Sequence, residues 1–343
     1  MALSVSIEKK LGAFHLNVDL EADERVVALL GASGAGKSMT LKCIAGIERP
    51  DKGRIVLNGK VLFDSGEKIN LSPQKRKVGY LFQNYALFPN MTVEQNIACG
   101  IYKHKDAKKI RNMISTMHLQ GLEKHYPRQL SGGQQQRTAL ARILINEPDV
   151  LMLDEPFSAL DTHLRYEMEQ EVRDVIQRFD KPVLLVSHNR DEVYRLSNRV
   201  AVINNGRIEV NDEKGKIFSD PRTVNAAILC GYRNISAARA IGKGRVYATD
   251  WDAELDVAGD CADTEYIGVR TENVYLAESE NTVRCKVTEA IQNPFTYTLM
   301  VSPERSMGSA TFAITVSKPK WERMKSDHVI VSIPKEGIVL LKK

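Results

Sequence analysis

The chain has 343 residues, a net charge of +5 and 43% hydrophobic side chains, which predicts two domains and excludes a wholly disordered chain. The charge is too small for a dedicated nucleic-acid binder, and no apolar run approaches the roughly 18 residues that span a bilayer. The N-terminus lacks a signal-peptide pattern, and five scattered cysteines without a C-x-x-C pair favour a reducing cytoplasm over a disulfide framework or zinc site.

Strands and helices alternate over residues 1–231. Short apolar runs at residues 25–30, 150–153 and 183–186 predict buried strands, and the Asn205-Gly206 pair predicts a β-hairpin. Leu41, Ile44 and Ala45 share one face of a helix that Gly46 would end. This order predicts an α/β domain with a mostly parallel sheet covered on both faces.

Two later regions differ in composition and in predicted secondary structure. Residues 88–148 are polar and helix-rich, which predicts a helical subdomain, and the basic stretch 103–111 is interpreted as a solvated helix face. From residue 232 to 343, short β-branched runs separated by turn residues predict a small all-β domain, a sandwich or barrel. We place the domain boundary at 231/232.

Residues 31–38, read GASGAGKS, match the phosphate-binding loop G-x-x-x-x-G-K-[ST]. Backbone N–H groups of such a loop surround an anion, a lysine meets the β- and γ-phosphates, and a serine ligates Mg²⁺. A strand before the loop and a helix after it favour this interpretation over an incidental glycine turn. The candidate nucleotide-binding residues are Gly31, Ala32, Ser33, Gly34, Ala35, Gly36, Lys37 and Ser38.

Two carboxylates follow the predicted strand at 150–153. Beside a phosphate loop, Asp154 can hold Mg²⁺ through water, and Glu155 can orient or deprotonate an attacking water. Alone, the pair would be an ordinary strand-end acidic pair. The phosphate loop favours the catalytic interpretation.

Residues 130–137, read LSGGQQQR, contain a capping box in which Ser131 and Gln134 open a helix. A capping box does not require the adjacent Gly132 and Gly133. Glycines at a helix N-terminus allow close approach of the backbone to an anion.

These motifs, in this order, resemble the ATP-binding subunit of ABC transporters over residues 1–220. The resemblance implies an ATPase with ATP and Mg²⁺ as cofactors and Glu155 as the general base. It implies that Gln83 is the Q-loop glutamine that contacts Mg²⁺ and water, and that Asp161 lies in the D-loop. It also implies that His188 is the switch histidine that contacts the γ-phosphate.

The resemblance further implies a head-to-tail homodimer. Each ATP would lie between the phosphate loop of one chain and the Ser131-Gly132-Gly133 segment of the other, with Gln134 and Asp161 in the same nucleotide set. Family members usually stack adenine on an aromatic side chain upstream of the loop. Leu11 aligns near that place, and Phe14 is the nearby aromatic residue, with packing under the sheet as its alternative.

Membrane partners are implied by the same resemblance. Residues 83–89 resemble the groove that receives a permease coupling helix, where exposed Tyr85 and Phe88 would suit a helix-in-groove contact. The implied partners are integral-membrane permease subunits and, indirectly, an extracytoplasmic solute-binding protein, but no nucleic acid. The implied location is peripheral, on the cytoplasmic face of the cell membrane.

Within importers, residues 54–62, 71–80, 313–317 and 329–341 resemble the molybdate importer ATPase (ModC) group and its molbindin-like, OB-type C-terminal domain. This predicts molybdate uptake. Sulfate, tungstate, ferric-ion and other small-solute importers share the layout and stay open as alternatives. A non-transport ABC ATPase fits less well, because such proteins carry two ATPase units or long coiled coil.

The C-terminal domain is either an oxyanion sensor or a purely structural or dimerising β domain. Thr315 and Ser317 are its candidate oxyanion contacts, since a tetrahedral dianion requires several donors. Pro334, after Ile333, counts against the sensor because proline removes an N–H donor, and Lys335 would point to the other face if the strand continued.

Overall fold

The computed structural model describes residues 3–22, 25–101, 106–158, 162–304 and 311–343. The chain separates into two compact units, Met1–Lys214 and Gly215–Lys343. None of the helices within the described ranges is long and apolar enough to cross a membrane.

The first unit combines strands and helices. Its described strands are β1 (Leu3–Leu11), β2 (Phe14–Ala22), β3 (Val26–Leu30), β4 (Lys52–Leu57), β5 (Lys60–Asp64), β6 (Ile69–Asn70), β7 (Val78–Leu81), β8 (Val150–Asp154), β9 (Val183–Ser187), β10 (Arg199–Asn204) and β11 (Arg207–Glu213). Its described helices are α1 (Lys37–Ala45), α2 (Pro73–Arg76), α3 (Val93–Ala98), α4 (Ala107–Thr116), α5 (Gly132–Leu144), α6 (Thr162–Arg178) and α7 (Arg190–Leu196), with a 3-10 turn at Pro127–Gln129.

All these strands belong to one sheet in the order β6-β5-β4-β1-β2-β11-β10-β3-β9-β8-β7. The neighbours from β10 to β7 are parallel, and every residue of β3, β8 and β9 is buried, as expected for strands covered on both faces. The predicted parallel core is therefore confirmed. Antiparallel pairs among β1, β2, β4, β5 and β6 extend it into a mixed sheet. Short turns join β1 to β2, β4 to β5 and β5 to β6, as antiparallel neighbours allow.

Parallel strands present their carboxyl ends at one edge of the sheet. The chain leaves β3 into the glycine-rich loop before α1, leaves β8 at Glu155, and leaves β9 at His188. Strand β7, beside β8, leads to Gln83. The sheet topology thus brings four separate sequence motifs to the same edge.

Three local predictions are confirmed. Gly46 ends α1 with its N–H bonded to the Cys43 carbonyl. The turn between β10 and β11 places Asn205 and Gly206 at φ 45° and 79°, the geometry of a type I′ hairpin. Helix α5 begins with the capping box: Ser131 Oγ accepts from Gln134 N at 3.3 Å, and Gln134 Oε1 accepts from Ser131 N at 2.9 Å.

Helices α3 to α5 occupy the chain between β7 and β8, where the helical subdomain was predicted. Helix α4 starts at Asp106, whose carboxylate accepts hydrogen bonds from Lys108 N and Lys109 N. Ile110 and Ile114 are buried while Lys108 is exposed, so the basic stretch forms a solvated face over the part that is described. Residues 102–105 lie outside the described ranges.

The second unit is mainly β. From the unit boundary onward, the described helices are α8 (Lys214–Ser219), α9 (Val224–Leu229) and α10 (Lys318–Met324), with 3-10 turns at Thr271–Asn273 and Lys335–Gly337. The described strands are β12 (Asn234–Gly242), β13 (Arg245–Ala248), β14 (Ala253–Asp256), β15 (Tyr266–Val269), β16 (Tyr275–Leu276), β17 (Thr282–Gln292), β18 (Thr296–Pro303), β19 (Phe312–Ser317), β20 (His328–Ser332) and β21 (Ile338–Leu341).

These strands form two sheets, β14-β13-β12-β15-β21 and β16-β20-β17-β18-β19, around one apolar core. Trp251 and Phe312 meet in that core with ring centroids 5.4 Å apart. The Asn234 side chain joins the two sheets, since Oδ1 accepts from Ala313 N at 2.7 Å and Nδ2 donates to Ala313 O at 2.9 Å. The predicted small all-β domain is confirmed.

The domain boundary differs from the one placed by sequence. The second compact unit begins at Gly215 rather than at residue 232, because the helical segment pairs with the β domain: Tyr232 OH donates to Phe218 O at 3.2 Å, and Arg270 donates to the same oxygen at 2.7 Å. Strand β20 ends at Ser332, two residues before Pro334, which cannot donate to a strand ladder. Lys335 therefore begins a 3-10 turn and has no strand face.

Candidate functional site

The phosphate loop is shaped by close contact with β2. Gly36, immediately before α1, has φ 108°, a conformation that L side chains rarely adopt. A Cβ there would lie 2.7 Å from Leu16 Cδ1 and 3.1 Å from Phe14 Cζ. Only glycine fits, so the loop can close against the sheet and start α1 at Lys37.

Lys37 is drawn into the loop that carries it. Its side chain is 4% exposed, and Nζ donates to the carbonyls of Gly31 and Ala32, at 2.9 Å each. Nζ also lies 3.8 Å from Glu155 Oε1. Burial lowers the pKa of Lys37, and the carboxylates of Glu155 and Asp154 oppose that shift. A cation held by weak carbonyl partners can exchange them for phosphate oxygens.

Asp154 ends β8 with both carboxylate oxygens engaged. Ser38 Oγ donates to Oδ1 at 2.8 Å, and Tyr80 OH donates to Oδ2 at 2.7 Å. Burial, then the contact with Asp154, raises the pKa of Tyr80 far above its usual range, so the phenol stays a donor. We assigned Tyr80 no role from sequence, although an aromatic residue with a polar tip in a buried strand needs a partner.

Glu155 is held in an uncommon backbone conformation. Its φ is 46°, and its N–H donates to Val186 O on the neighbouring strand β9 at 2.9 Å. Left-handed conformations of non-glycine residues cost about 1–3 kcal/mol and cluster at functional sites. The turn directs the carboxylate between Lys37 and His188, whose Nδ1 lies 3.3 Å from Oε2.

The turn that carries His188 is held by residues that sequence analysis missed. Ser187 Oγ donates to the buried Glu192 carboxylate at 2.7 Å and accepts from Asn189 N at 2.9 Å. Asn189 caps α7 by accepting from Asp191 N. The signal in the sequence is a serine at the end of a buried strand, two residues before a cap residue.

A cleft of about 420 Å³ opens beside these groups, within the 300–1,000 Å³ range of small-ligand sites. Its lining residues are Leu11, Phe14, Ser33, Gly34, Gly36, Lys37, Ser38, Met39, Lys42, Gln83 and Glu155. Both candidates for adenine contact line it, and Phe14 also packs against the core. Gln83 and Ser38 both line it. The role of Gln83 in contacting Mg²⁺ and water stays a prediction.

The segment that contains Gly132 and Gly133 does not line this cleft. Among the described residues that line the cleft, none comes from 131–134. Gly133 packs against α6, where a Cβ would approach Met168 Sδ to 2.6 Å, so close packing also explains this glycine. Ser131 is exposed at the start of α5. Asp161 lies outside the described residues.

The segment after Gln83 corrects one expectation. Tyr85 is buried rather than exposed: its backbone has φ 58°, and its hydroxyl lies 3.4 Å from Pro156 O. Phe88 is 48% exposed, and the Arg142 guanidinium lies 5.3 Å from its ring centroid. Arg142 also donates to Ala86 O and Tyr85 O, which ties this segment to α5.

The oxygen atoms of Ser38 and Asp154 suit Mg²⁺, which prefers hard oxygen ligands. In the described part of the chain, no group of three or more His, Cys, Asp or Glu could hold a metal ion by itself. Mg²⁺ usually binds one or two protein oxygens together with substrate phosphates and waters. The structure therefore fits a metal that arrives with a nucleotide.

Comparison with known proteins gives concordant results. A family model described as "ABC transporter" matches residues 14–158. The sulfate/thiosulfate import ATP-binding protein CysA of Mesostigma viride is 41% identical over 238 residues, which cover 67% of this chain and 66% of that protein. The spermidine/putrescine import ATP-binding protein PotA of Nitrosospira multiformis is 34% identical over 297 residues, 82% of this chain and 80% of that protein.

Among solved structures, a dimeric post-hydrolysis state of the ATP-binding cassette MJ0796, bound to ADP and Pi, is similar to this chain. The TM-score is 0.52 at 27% sequence identity, and the match covers 62% of this chain and 99% of that one.

Glu192 generates a prediction about pH. Burial raises the pKa of its carboxyl, an effect that Ser187 and Arg165 oppose. The folded state then binds this proton more tightly than the unfolded state, so stability falls as pH rises from the unfolded pKa, about 4.3, through the raised folded value. We expect Glu192→Gln, which carries no charge, to gain stability relative to the parent chain across that window.

Urea unfolding at a series of pH values measures this difference. The gain in free energy of unfolding of Glu192→Gln over the parent chain should be smallest below about pH 4. It should level off above the pKa of Glu192 in the folded state. Glu67→Gln, at an exposed site, is the matched control. A Glu192→Gln difference that does not vary with pH would contradict the prediction.

Proposed function

Because this chain belongs to the ABC transporter family, as an ATP-binding subunit of importer type, we propose that it couples ATP binding and hydrolysis to uptake of sulfate or thiosulfate. It is an ABC-type ATPase. The observation that carries the proposed mechanism is the convergence of Lys37, Asp154, Glu155 and His188 at the carboxyl edge of the parallel strands.

ATP would enter the cleft with its phosphates on the glycine-rich loop. Lys37 would exchange the Gly31 and Ala32 carbonyls for phosphate oxygens, which also loosens its hold on Glu155. Ser38 and Asp154, with Gln83, would hold Mg²⁺, which neutralises phosphate charge when it is bound.

Glu155 is the proposed general base. Its carboxylate would take a proton from the attacking water while His188 Nδ1 holds it in place. Positioning and charge compensation supply most of the rate in phosphoryl transfer, so these few side chains suffice.

Glu155→Gln should lower turnover by about 10²- to 10⁴-fold, the range for losing a positioned general base, and leave ATP affinity nearly unchanged. The amide keeps the size of the side chain and its contact with His188 but cannot accept the proton. Steady-state phosphate release and equilibrium binding of ATP measure the two quantities.

The same variant should accumulate as an ATP-bound dimer, which size-exclusion chromatography detects. Glu147→Gln is the control, because Glu147 is an exposed glutamate outside the cleft. Turnover near that of the parent chain would remove Glu155 from the catalytic role.

We also infer a shared site in a homodimer. Ser131, Gly132, Gly133, Gln134 and Asp161 would meet the ATP held by the partner's phosphate loop. The exposed position of Ser131 at the start of α5, away from the cleft of its own chain, supports this, as does the dimeric state of the similar solved structure. A helix N-terminus suits the γ-phosphate.

Mixed dimers test the shared site. Ser131→Arg and Lys37→Ala should each abolish activity, yet a dimer with one chain of each kind should keep one working site of the two. A chain that carries both changes, paired with an unchanged chain, should have none. Two affinity tags isolate the mixed dimers, and the opposite pattern would mean that each chain forms its site alone.

Membrane partners follow from the same proposal. Permease subunits would contact residues 83–89, where Phe88 is exposed and Arg142 links the segment to α5. A solute-binding protein would act through the permease. The chain would then lie on the cytoplasmic face of the membrane as a peripheral subunit.

The transported solute is proposed from the relatives. Those reported above are named for sulfate/thiosulfate and spermidine/putrescine import, so they favour sulfate, an alternative left open by the sequence, over the expected molybdate. Polyamine import is the second candidate, on the similarity to PotA over 82% of this chain. A regulatory role for the second unit stays a prediction.

Transport assays decide between the solutes. The chain, reconstituted in vesicles with the permease and binding proteins that purify with it, should take up labelled sulfate or thiosulfate in an ATP-dependent manner. Spermidine and molybdate are the competing substrates, and Glu155→Gln is the control without turnover. Uptake of spermidine alone would replace the sulfate assignment and leave the ATPase assignment intact.

A further inference from the structure

We infer that Tyr80 is a positioning residue for the metal: its hydroxyl orients the Asp154 carboxylate so that Oδ1 stays on Ser38, which lines the nucleotide cleft. This inference rests on the proposed role of Asp154 in holding Mg²⁺. Tyr80 is not among the described residues that line the nucleotide cleft, so it would act through Asp154.

The contact between the two residues is set by strand pairing. Tyr80 lies on β7, which runs parallel to β8, and it pairs with Met152, two residues before Asp154. The Tyr80 hydroxyl therefore reaches from β7 to the end of β8, where it donates to Asp154 Oδ2 at 2.7 Å. Both residues are buried, at 9% and 6% exposure, so little water competes for this bond.

The hydrogen bond from Tyr80 matters because it engages the second oxygen of Asp154 and so limits rotation of the carboxylate. The terminal torsion of an aspartate has a broad energy profile, so a carboxylate with one partner turns easily. Ser38 engages Oδ1 at 2.8 Å, and Tyr80 engages Oδ2 from a different strand. Two donors on opposite oxygens leave the carboxylate a single orientation. Partners of this kind commonly change metal affinity by about 10- to 100-fold.

The competing explanation is that Tyr80 only fills the core. It does belong to the buried cluster, and its ring centroid lies 4.4 Å from that of Phe82. Tyr80→Phe separates the two explanations, because it keeps the ring and removes only the donor. A packing role depends on the ring, and a positioning role depends on the hydroxyl.

The experiment measures metal binding directly in the full-length protein. Mn²⁺ replaces Mg²⁺, a non-hydrolysable ATP analogue occupies the cleft, and the electron paramagnetic resonance signal of free Mn²⁺ gives the dissociation constant. Tyr80→Phe should raise this constant by about 10-fold or more. Affinity for the analogue without metal should stay unchanged, and the Mg²⁺ concentration for half-maximal hydrolysis should rise by a similar factor.

Tyr232→Phe is the matched control. Tyr232 is another buried tyrosine, whose hydroxyl donates to backbone oxygens of Phe218 and Ser219 in the second unit. It should leave the Mn²⁺ constant unchanged, even where unfolding curves show a comparable loss of stability. A Mn²⁺ constant within about twofold of the parent in Tyr80→Phe would overturn the inference.

Asp154→Asn separates this inference from the proposal beneath it. If Tyr80 acts through Asp154, the loss in Tyr80→Phe should disappear when Asp154 is already asparagine, the signature of coupled residues. If Asp154→Asn itself leaves Mn²⁺ affinity intact, the proposed metal role of Asp154 fails. If Asp154→Asn weakens Mn²⁺ binding and Tyr80→Phe does not, the positioning role of Tyr80 alone fails.

Discussion

The buried carboxylate of Asp154 is the interaction on which the nucleotide cleft depends. It accepts hydrogen bonds from Ser38 and Tyr80, which lie 116 and 74 residues away in the chain. A buried charge is costly unless it is well hydrogen-bonded, and two donors from two other elements meet that requirement. In doing so they fix the start of α1 relative to β7 and β8. The loop, the helix and the strands therefore keep one arrangement at the carboxyl edge of the sheet.

The charges around Asp154 are compensated before any ligand arrives. Lys37 is held by two carbonyls and lies near Glu155, and Glu155 in turn lies near His188. Phosphate oxygens carry charge that the Gly31 and Ala32 carbonyls lack, so a nucleotide can replace these carbonyls as partners of Lys37. The left-handed backbone of Glu155 fits this arrangement, because the turn keeps the carboxylate between Lys37 and His188. The cleft is thus preorganised.

Several residues of the family motifs also serve the packing of the fold. Gly133 lets α5 approach Met168, and Ser131 caps the same helix. Tyr85 turns inward toward Pro156, next to Glu155, the proposed general base, while Arg142 binds the carbonyls beside it. These contacts join the helical region, the segment after Gln83 and the end of β8. A residue assigned to a functional motif can therefore also contribute to the packing of the fold.

The sequence by itself determined many of the local elements and supplied the candidate functional residues. Periodicity and cap residues located the buried strands, the stop at Gly46 and the hairpin at Asn205-Gly206, because these depend on neighbours in the chain. It could not show that Tyr80 meets Asp154, that Tyr85 is buried, or that β20 ends before Pro334. Those outcomes are set by strand register and by side chains distant in sequence, and only the packed structure brings such groups within bonding distance.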